Sequence, residues 1–203
     1  MEAMDKASSP PDYAVVDDSR ILLRDVEWST YVKLRDVPED RHLRMTYLQG
    51  ELEIMSPGLR HEVLAVQIAR LLELFCHVRG IDLYGFGNMT CRRENRERGL
   101  EPDRCYTRGR AKKYPDVAIE VIVSSPLLDK LEVYRGLGTR EVWVFEDGEF
   151  TIHRLRGERY VRIATSLVFP EVDLSRITHY ASEWNQPQAL RDYEAELRRR
   201  RRR

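Results

Sequence analysis

The chain has 203 residues, which is enough for one domain with a substantial core, and it contains 34 basic and 34 acidic residues. Residues 198–203 are all arginine, so the rest of the chain carries an excess of six acidic residues. An acidic body is atypical of proteins that coat DNA non-specifically. Any affinity for nucleic acid would therefore come from a local groove or from the arginine tail.

The cysteines and the apolar segments indicate a cytoplasmic protein. Cys76, Cys91 and Cys105 form no C-x-x-C motif and are an odd number, which suits a reducing compartment rather than a disulfide framework. The first residues are polar and lack the apolar segment of a signal peptide. No apolar stretch approaches the ~20 residues that span a membrane. We therefore expect no membrane partner.

Patterning along the chain predicts one domain over residues 21–185, with a flexible polar stretch at 1–20 and a C-terminal helix and arginine tail at 186–203. Apolar residues at three- and four-residue spacing predict helices, and alternating or β-branched runs predict strands. In chain order the predicted elements are a helix at 27–35, a hairpin of two strands at 44–55, a long helix at 60–79, a strand at 81–86, a charged loop at 92–99, a strand around 105–106, a buried strand at 117–123, a helix from Ser125 to Gly138, strands at 141–146, 150–155 and 159–164, and helices at 175–184 and 187–197. This order indicates an α/β or α+β domain with a mixed central sheet.

The most informative segment is the buried strand, which reads V-A-I-E-V-I-V from Val117 to Val123. Its one polar residue is Glu120, and a carboxylate there is costly to desolvate unless a cation or a hydrogen-bond network compensates it. Asp103 precedes the strand in the sequence E-P-D, and Lys130 follows it on the next helix. Two carboxylates and an amine on successive elements indicate a divalent-metal phosphodiesterase, because Mg²⁺ prefers oxygen ligands and the amine can orient the attacking water.

Four sequence blocks resemble the PD-(D/E)xK nuclease superfamily, and within it the Uma-type family of restriction endonucleases. The blocks are Y-L-Q-G-E-L-E-I-M-S-P with the following His61, then E-P-D-R-C-Y, then D-V-A-I-E-V, then L-L-D-K-L-E-V-Y-R-G-L-G-T-R-E-V-W-V-F. They occur in the family's order over residues 45–145. The resemblance implies a restriction-endonuclease-like core, in which a mixed β-sheet is flanked by helices with additional β-hairpins. It also implies metal-dependent hydrolysis of DNA.

The resemblance implies a role for each member of the acidic cluster. Asp103 and Glu120 would be the acids of the two half-motifs and would bind Mg²⁺ or Mn²⁺. The superfamily places its lysine two residues after the second acid, but this chain has Ile122 there. The resemblance therefore implies that Lys130, from the following helix, reaches the site instead and positions or activates the attacking water.

Further expectations concern the surroundings of the site. Glu51 and His61 resemble the family's N-terminal acidic and histidine positions, and would complete the acid/base environment. A homodimer is expected from the family alone, and exposed Trp143 and Phe145 would offer an interface if they prove exposed. The arginine tail is either a phosphate-binding arm or a solvated end.

Each candidate residue also has a purely structural interpretation. Glu120 could be ion-paired only for stability, and Asp103 could cap a turn. Lys130 and Tyr134 could be an exposed pair one helical turn apart, and His61 could lie on the surface. The displaced lysine and the acidic body favour one rival function, a nuclease-like binding or assembly module without strong catalysis. A hydrolase or transferase for small phosphorylated metabolites is a second rival, although the chain lacks a Gly-rich phosphate loop.

Overall fold

The computed structural model describes residues 17–37, 42–87 and 89–201, and the structural statements below concern those ranges. Within them the chain forms strands and helices in an order close to the predicted one. The strands are β1 (Ser19–Leu23), β2 (Arg44–Leu48), β3 (Glu51–Ser56), β4 (Leu83–Phe86), β5 (Cys91–Arg93), β6 (Arg98–Leu100), β7 (Arg104–Arg108), β8 (Val117–Ile122), β9 (Glu141–Glu146), β10 (Glu149–Arg156) and β11 (Arg159–Ile163). The helices are α1 (Trp28–Arg35), α2 (Leu59–Arg79), α3 (Lys130–Leu137), α4 (Leu174–Ala181) and α5 (Gln186–Arg201).

The larger sheet has six strands in the order β11-β10-β9-β8-β7-β4. Strands β8 and β9 are parallel, because α3 connects them as a crossover, and the other pairs are antiparallel. The predicted mixed central sheet is therefore confirmed.

Helix α2 covers one face of this sheet. Its apolar residues recur at three- and four-residue spacing, and Ile68, Leu72 and Phe75 are buried. The helix ends at Gly80, which adopts the left-handed conformation with φ of 67°. Helices α4 and α5 pack beside α2, and together the three helices and the sheet enclose the largest apolar core.

Side chains of β8 alternate between the two faces of the sheet, as the geometry of a strand requires. Val117, Ile119 and Val121 belong to the core under α2. Ala118 packs in a second core with α3, and Glu120 points to that same side. The acid therefore lies on the α3 face, away from the largest apolar core.

A second sheet of five strands has the order β1-β3-β2-β6-β5, and all its pairs are antiparallel. Residues 92–99 were predicted to be a charged loop, and this prediction was wrong, because they contribute to β5 and β6. Gly99 lets β6 approach α1 closely, since a Cβ atom on it would lie 2.3 Å from Tyr31 Oη. The strand β1 begins inside the stretch 1–20 that was predicted to be flexible; residues 1–16 lie outside the described ranges.

The start of α3 also differs from the prediction. A Ser–Pro pair at 125–126 was expected to begin this helix, but it begins at Lys130. The N-cap is Asp129, whose carboxylate accepts a hydrogen bond from Glu132 N at 3.2 Å. The backbone N–H groups of Leu127 and Leu128 are bonded to the side chain of Glu53 on β3. Residues 125–128 therefore precede the helix and are held by a tertiary contact.

The structure also shows the surroundings of the proposed interface residues and of the arginine tail. Trp143 and Phe145 face the core under α2 and are 0% and 4% exposed, so they offer no interface for a second subunit. The arginines from Arg198 to Arg201 continue α5, and Arg198 pairs with Glu194 at 2.7 Å; residues 202 and 203 lie outside the described ranges. Over the described ranges, no helix combines the length and apolar character needed to cross a membrane.

Candidate active site

Glu120 is buried, and cationic and hydroxyl groups of α3 compensate its charge. Lys130 Nζ lies 2.6 Å from Glu120 Oε2, and Tyr134 donates a hydrogen bond from its hydroxyl to Oε1. Lys130 and Tyr134 are one turn apart on α3, so both reach the same carboxylate. Burial raises the pKa of Glu120, and the charge of Asp103 adds to this rise, while Lys130 opposes it. Burial alone would lower the pKa of Lys130, but Glu120 and Asp103 raise it, so the lysine is a cation at neutral pH.

Asp103 lies directly before β7, beside Glu120 on the neighbouring strand. Its Oδ2 accepts a hydrogen bond from Val121 N at 2.8 Å, which fixes the carboxylate across the β7–β8 pair. Burial would raise the pKa of Asp103, but His61, Lys130 and the Val121 N–H lower it far below its usual range. Its Oδ1 is fully buried and has no hydrogen-bond partner among the described residues. Its ion-pair partner is His61 Nε2, so a metal ion that binds Oδ1 has to compete with the imidazole.

His61 lies in the first turn of α2 and is buried between two acids. Its Nδ1 is 3.3 Å from Asp18 Oδ2, and its Nε2 is 3.0 Å from Asp103 Oδ1. Burial lowers the pKa of His61, but Asp103 and Asp18 raise it to about 9. The imidazole is therefore positively charged at neutral pH and helps to keep Asp103 ionised.

Asp18, immediately before β1, contacts His61 and also residues of several other elements. Its Oδ1 accepts a hydrogen bond from Gly58 N at 2.9 Å, at the N-terminus of α2, and its Oδ2 accepts one from Ser124 Oγ at 3.1 Å. Arg20 Nη2 also lies 2.9 Å from Oδ2. Burial would raise the pKa of Asp18, but His61, Gly58 and Arg20 lower it to about 2. Asp18 thus holds the first turn of α2 against the segment that follows β8.

Glu53 on β3 connects the second sheet to the start of α3. It is 1% exposed, and its Oε1 lies 2.6 Å from Arg20 Nη1. Its Oε2 accepts hydrogen bonds from Leu127 N and, at 3.1 Å, from Leu128 N. These bonds fix the segment that leads to Lys130, so Glu53 positions the lysine without contacting it.

The structure brings together four of the five residues singled out from the sequence: His61, Asp103, Glu120 and Lys130. The fifth, Glu51, is elsewhere: its side chain is 40% exposed and lies 3.4 Å from Arg24 Nε. The buried acid of β3 is Glu53, which is described above.

Four further residues of the cluster were not singled out from the sequence, namely Asp18, Arg20, Glu53 and Ser124. The apolar run that follows Arg20, I-L-L, could have indicated β1. Nothing local marks Asp18 as a partner of a histidine 43 positions further along the chain. Asp116 lies outside the cluster, directly before β8, and accepts hydrogen bonds from Arg108 N, Lys112 and Arg140.

The acids of the cluster suit a hard divalent cation. Mg²⁺ takes oxygen ligands, and one or two carboxylates from the protein are typical, with water and substrate oxygens completing the shell. Glu120 lies on β8 and Asp103 directly precedes the paired strand β7, although Oδ1 of Asp103 already contacts His61. In the ranges 17–37, 42–87 and 89–201, no three His, Cys, Asp or Glu side chains form a group that could hold a metal ion. A cation here would thus depend on two protein carboxylates at most.

The mixed six-stranded sheet is flanked by helices and accompanied by a second, antiparallel sheet, and it contains a buried acidic cluster; this is a restriction-endonuclease-like fold. The comparison with known families agrees with this class: the model of the Uma2 family, described as "putative restriction endonuclease", matches residues 28–186. The chain belongs to the Uma2 family. A search of curated proteins found no match.

Proposed function

We propose that the protein is a metal-dependent endonuclease that hydrolyses phosphodiester bonds in DNA. The observation that carries the proposal is the arrangement of Asp103, Glu120 and Lys130, in which two acids on paired strands lie beside a lysine held as a cation. Family membership supports the nuclease class. The three cysteines are buried thiols without disulfides, so the proposed location is the cytoplasm.

In this proposal Asp103 and Glu120 hold Mg²⁺ or Mn²⁺. When bound, the cation would neutralise charge on the phosphate and lower the pKa of a coordinated water. Lys130 orients the attacking water or donates to a phosphate oxygen, and its raised pKa makes it a donor rather than a base. His61, also a cation, keeps Asp103 ionised and oriented.

Calorimetric titration of Mg²⁺ and Mn²⁺ tests the proposed metal site, with and without a short DNA duplex. We expect wild type to bind and Asp103→Asn and Glu120→Gln to lose binding, together with metal-dependent cleavage of DNA. Asp116→Asn is the matched control, because it alters a buried acid outside the cluster. Cleavage by folded Glu120→Gln at the wild-type rate would contradict the proposal.

One observation favours a second function, a nucleic-acid-binding module of the same fold without strong catalysis. Both oxygens of Glu120 already accept from Lys130 and Tyr134, so metal binding has to displace at least one of these donors. Absence of metal binding, even with duplex present, combined with measurable DNA binding would establish this second function.

A further inference from the structure

A cavity of about 280 Å³ opens where β8 and β9 end, on the side of the sheet that α2 covers. Its walls include Ile122 from β8 and Phe145 from β9. Arg60, next in the chain to His61, and Trp184, between α4 and α5, also line it. A volume near the lower limit of small-molecule sites, ~300 Å³, suits a single ring system better than a peptide or a folded partner.

The floor of the cavity contains a buried polar group without a full set of partners. Gln67 on α2 is 1% exposed and donates from Nε2 to Tyr180 O at 3.5 Å. Its Oε1 has no hydrogen-bond partner among the described residues. An unpaired buried acceptor costs about 1–3 kcal/mol, so its presence on the wall of a cavity points to a ligand that donates a hydrogen bond there.

The rim of the cavity supplies an aromatic face and charges of both signs. Trp184 is 39% exposed and has no ring contact with another described aromatic residue. Arg60 forms no ion pair with another described residue. Asp147 and Glu183 also line the cavity, and their carboxylates accept hydrogen bonds but repel a bare anion. The lining therefore suits a planar ring that carries N–H donors, attached to a phosphate that reaches Arg60.

We propose that this cavity receives one unpaired, amino-bearing nucleobase of the substrate strand, stacked on Trp184 and recognised by Gln67, and so gives the nuclease a base preference. The inference rests on the proposed function, because it assumes a nucleic-acid substrate. Arg60 and His61 are consecutive on α2, and Ile122 follows Glu120 by two positions, so the cavity and the acidic cluster are built on the same two elements. A paired base cannot enter so small a cavity, so the base has to be unpaired or flipped out of the duplex.

Binding measured without a divalent metal tests the base site apart from cleavage. The probe is a fluorescein-labelled single-stranded DNA in which one position at a time is adenine, purine without the amino group, or abasic. We expect wild type to lose affinity at one abasic position and to prefer adenine over purine there by about 5- to 150-fold. Trp184→Ala should bind the intact strand about 5- to 150-fold more weakly and lose the penalty of the abasic position.

Gln67→Leu isolates the recognition of the amino group. This variant should bind adenine and purine equally well, because the change removes the acceptor Oε1; thermal unfolding checks that the protein stays folded without the bond from Nε2 to Tyr180 O. Tyr84→Ala is the matched control for Trp184→Ala, since Tyr84 is a 45% exposed aromatic residue on β4 outside the cavity. It should leave both preferences intact.

The outcomes separate the two proposals. The base site would be overturned if wild type cleaves DNA but binds strands with the same affinity whichever position is abasic. It would also be overturned if folded Gln67→Leu retains the adenine preference. Either result would leave the endonuclease proposal standing. A base preference that depends on Gln67 and Trp184, in a protein that never cleaves, would support the base site and contradict catalysis. No binding of any probe by wild type would also overturn the base site.

Discussion

Lys130 Nζ contacts Glu120 Oε2 at 2.6 Å, although the lysine is the first residue of α3 and the glutamate lies ten positions earlier, in β8. The superfamily that the chain resembles has its lysine on the same strand as the second acid. Here the crossover helix supplies the amine instead. The geometry of the pair thus depends on where α3 begins, and Asp129 and Glu53 set this starting point.

The first prediction concerns the lysine itself. Lys130→Met should lower metal-dependent cleavage by roughly 100-fold or more, because it removes the donor from the reacting centre. It should also destabilise the protein by about 3 kcal/mol, since Glu120 is left buried without its cation. Cleavage rates and urea unfolding measure the two effects. Lys112→Met, which removes a 31% exposed lysine paired with Asp116, should change stability by less than about 1 kcal/mol and leave cleavage unchanged.

The second prediction compares two acids of β3. Glu53→Gln should destabilise the protein by about 2 kcal/mol or more and reduce cleavage, because a buried partner of Arg20 and of the segment before α3 loses its charge. Glu51→Gln should remain within about 0.5 kcal/mol of wild type, because Glu51 is 40% exposed. Unfolding curves and cleavage assays of both variants measure these effects. Loss of cleavage in Glu51→Gln alone would restore the role expected for it from the sequence.

The third prediction concerns acid stability. The pKa of Asp18 is lowered from 3.8 to about 2 in the folded protein, so its contribution to stability is present above about pH 4 and is lost as the pH falls through 2. The free energy of unfolding of metal-free wild type should therefore fall by roughly 2 kcal/mol more than that of Asp18→Asn between pH 4 and pH 2. Denaturant unfolding at several pH values measures this difference. Parallel pH dependences would show that Asp18 is not specially stabilised in the folded state.

The fourth prediction tests the second sheet. Gly99→Ala should destabilise the protein by about 1–3 kcal/mol, because the added Cβ would lie 2.3 Å from Tyr31 Oη and would push β6 away from α1. Gly87→Ala is the control, since a Cβ there meets nothing within 4 Å. Thermal unfolding of both variants measures the effect. Equal melting temperatures would contradict the close approach of β6 to α1.

Local patterns predicted much of the fold. The apolar stripe of α2, the β-branched run of β8 and the turn at Asp147-Gly148 each depend on residues adjacent in sequence, and all three are present in the structure. Patterns dominated by charge were misleading. The segment 92–99 was predicted to be a loop because it is rich in charged residues, yet it forms β5 and β6 by pairing with strands distant in sequence.

Local sequence patterns likewise predicted only part of the site. Asp103, Glu120, Lys130 and His61 lie within blocks that resemble a family, so the sequence could point to them. Asp18 and Glu53 act through contacts with His61 and with the segment before α3, which only the tertiary structure reveals. A Ser–Pro pair is an ordinary helix start, but here the segment that follows it is bonded to Glu53 on another strand and the helix begins only at Lys130.

Because side chains alternate along β8, the register that buries its apolar residues under α2 also places Glu120 beside Lys130. Moving the strand by one residue relative to its neighbours would turn Glu120 into the apolar layer under α2 and would bring Val121 to Lys130. The shifted arrangement would bury the carboxylate of Glu120 among apolar side chains and leave the ammonium group of Lys130 without a partner. It therefore cannot persist as a stable but inactive alternative. Single-residue insertions or deletions in this strand should consequently yield protein that aggregates or is degraded, rather than an intact scaffold that has lost only its activity.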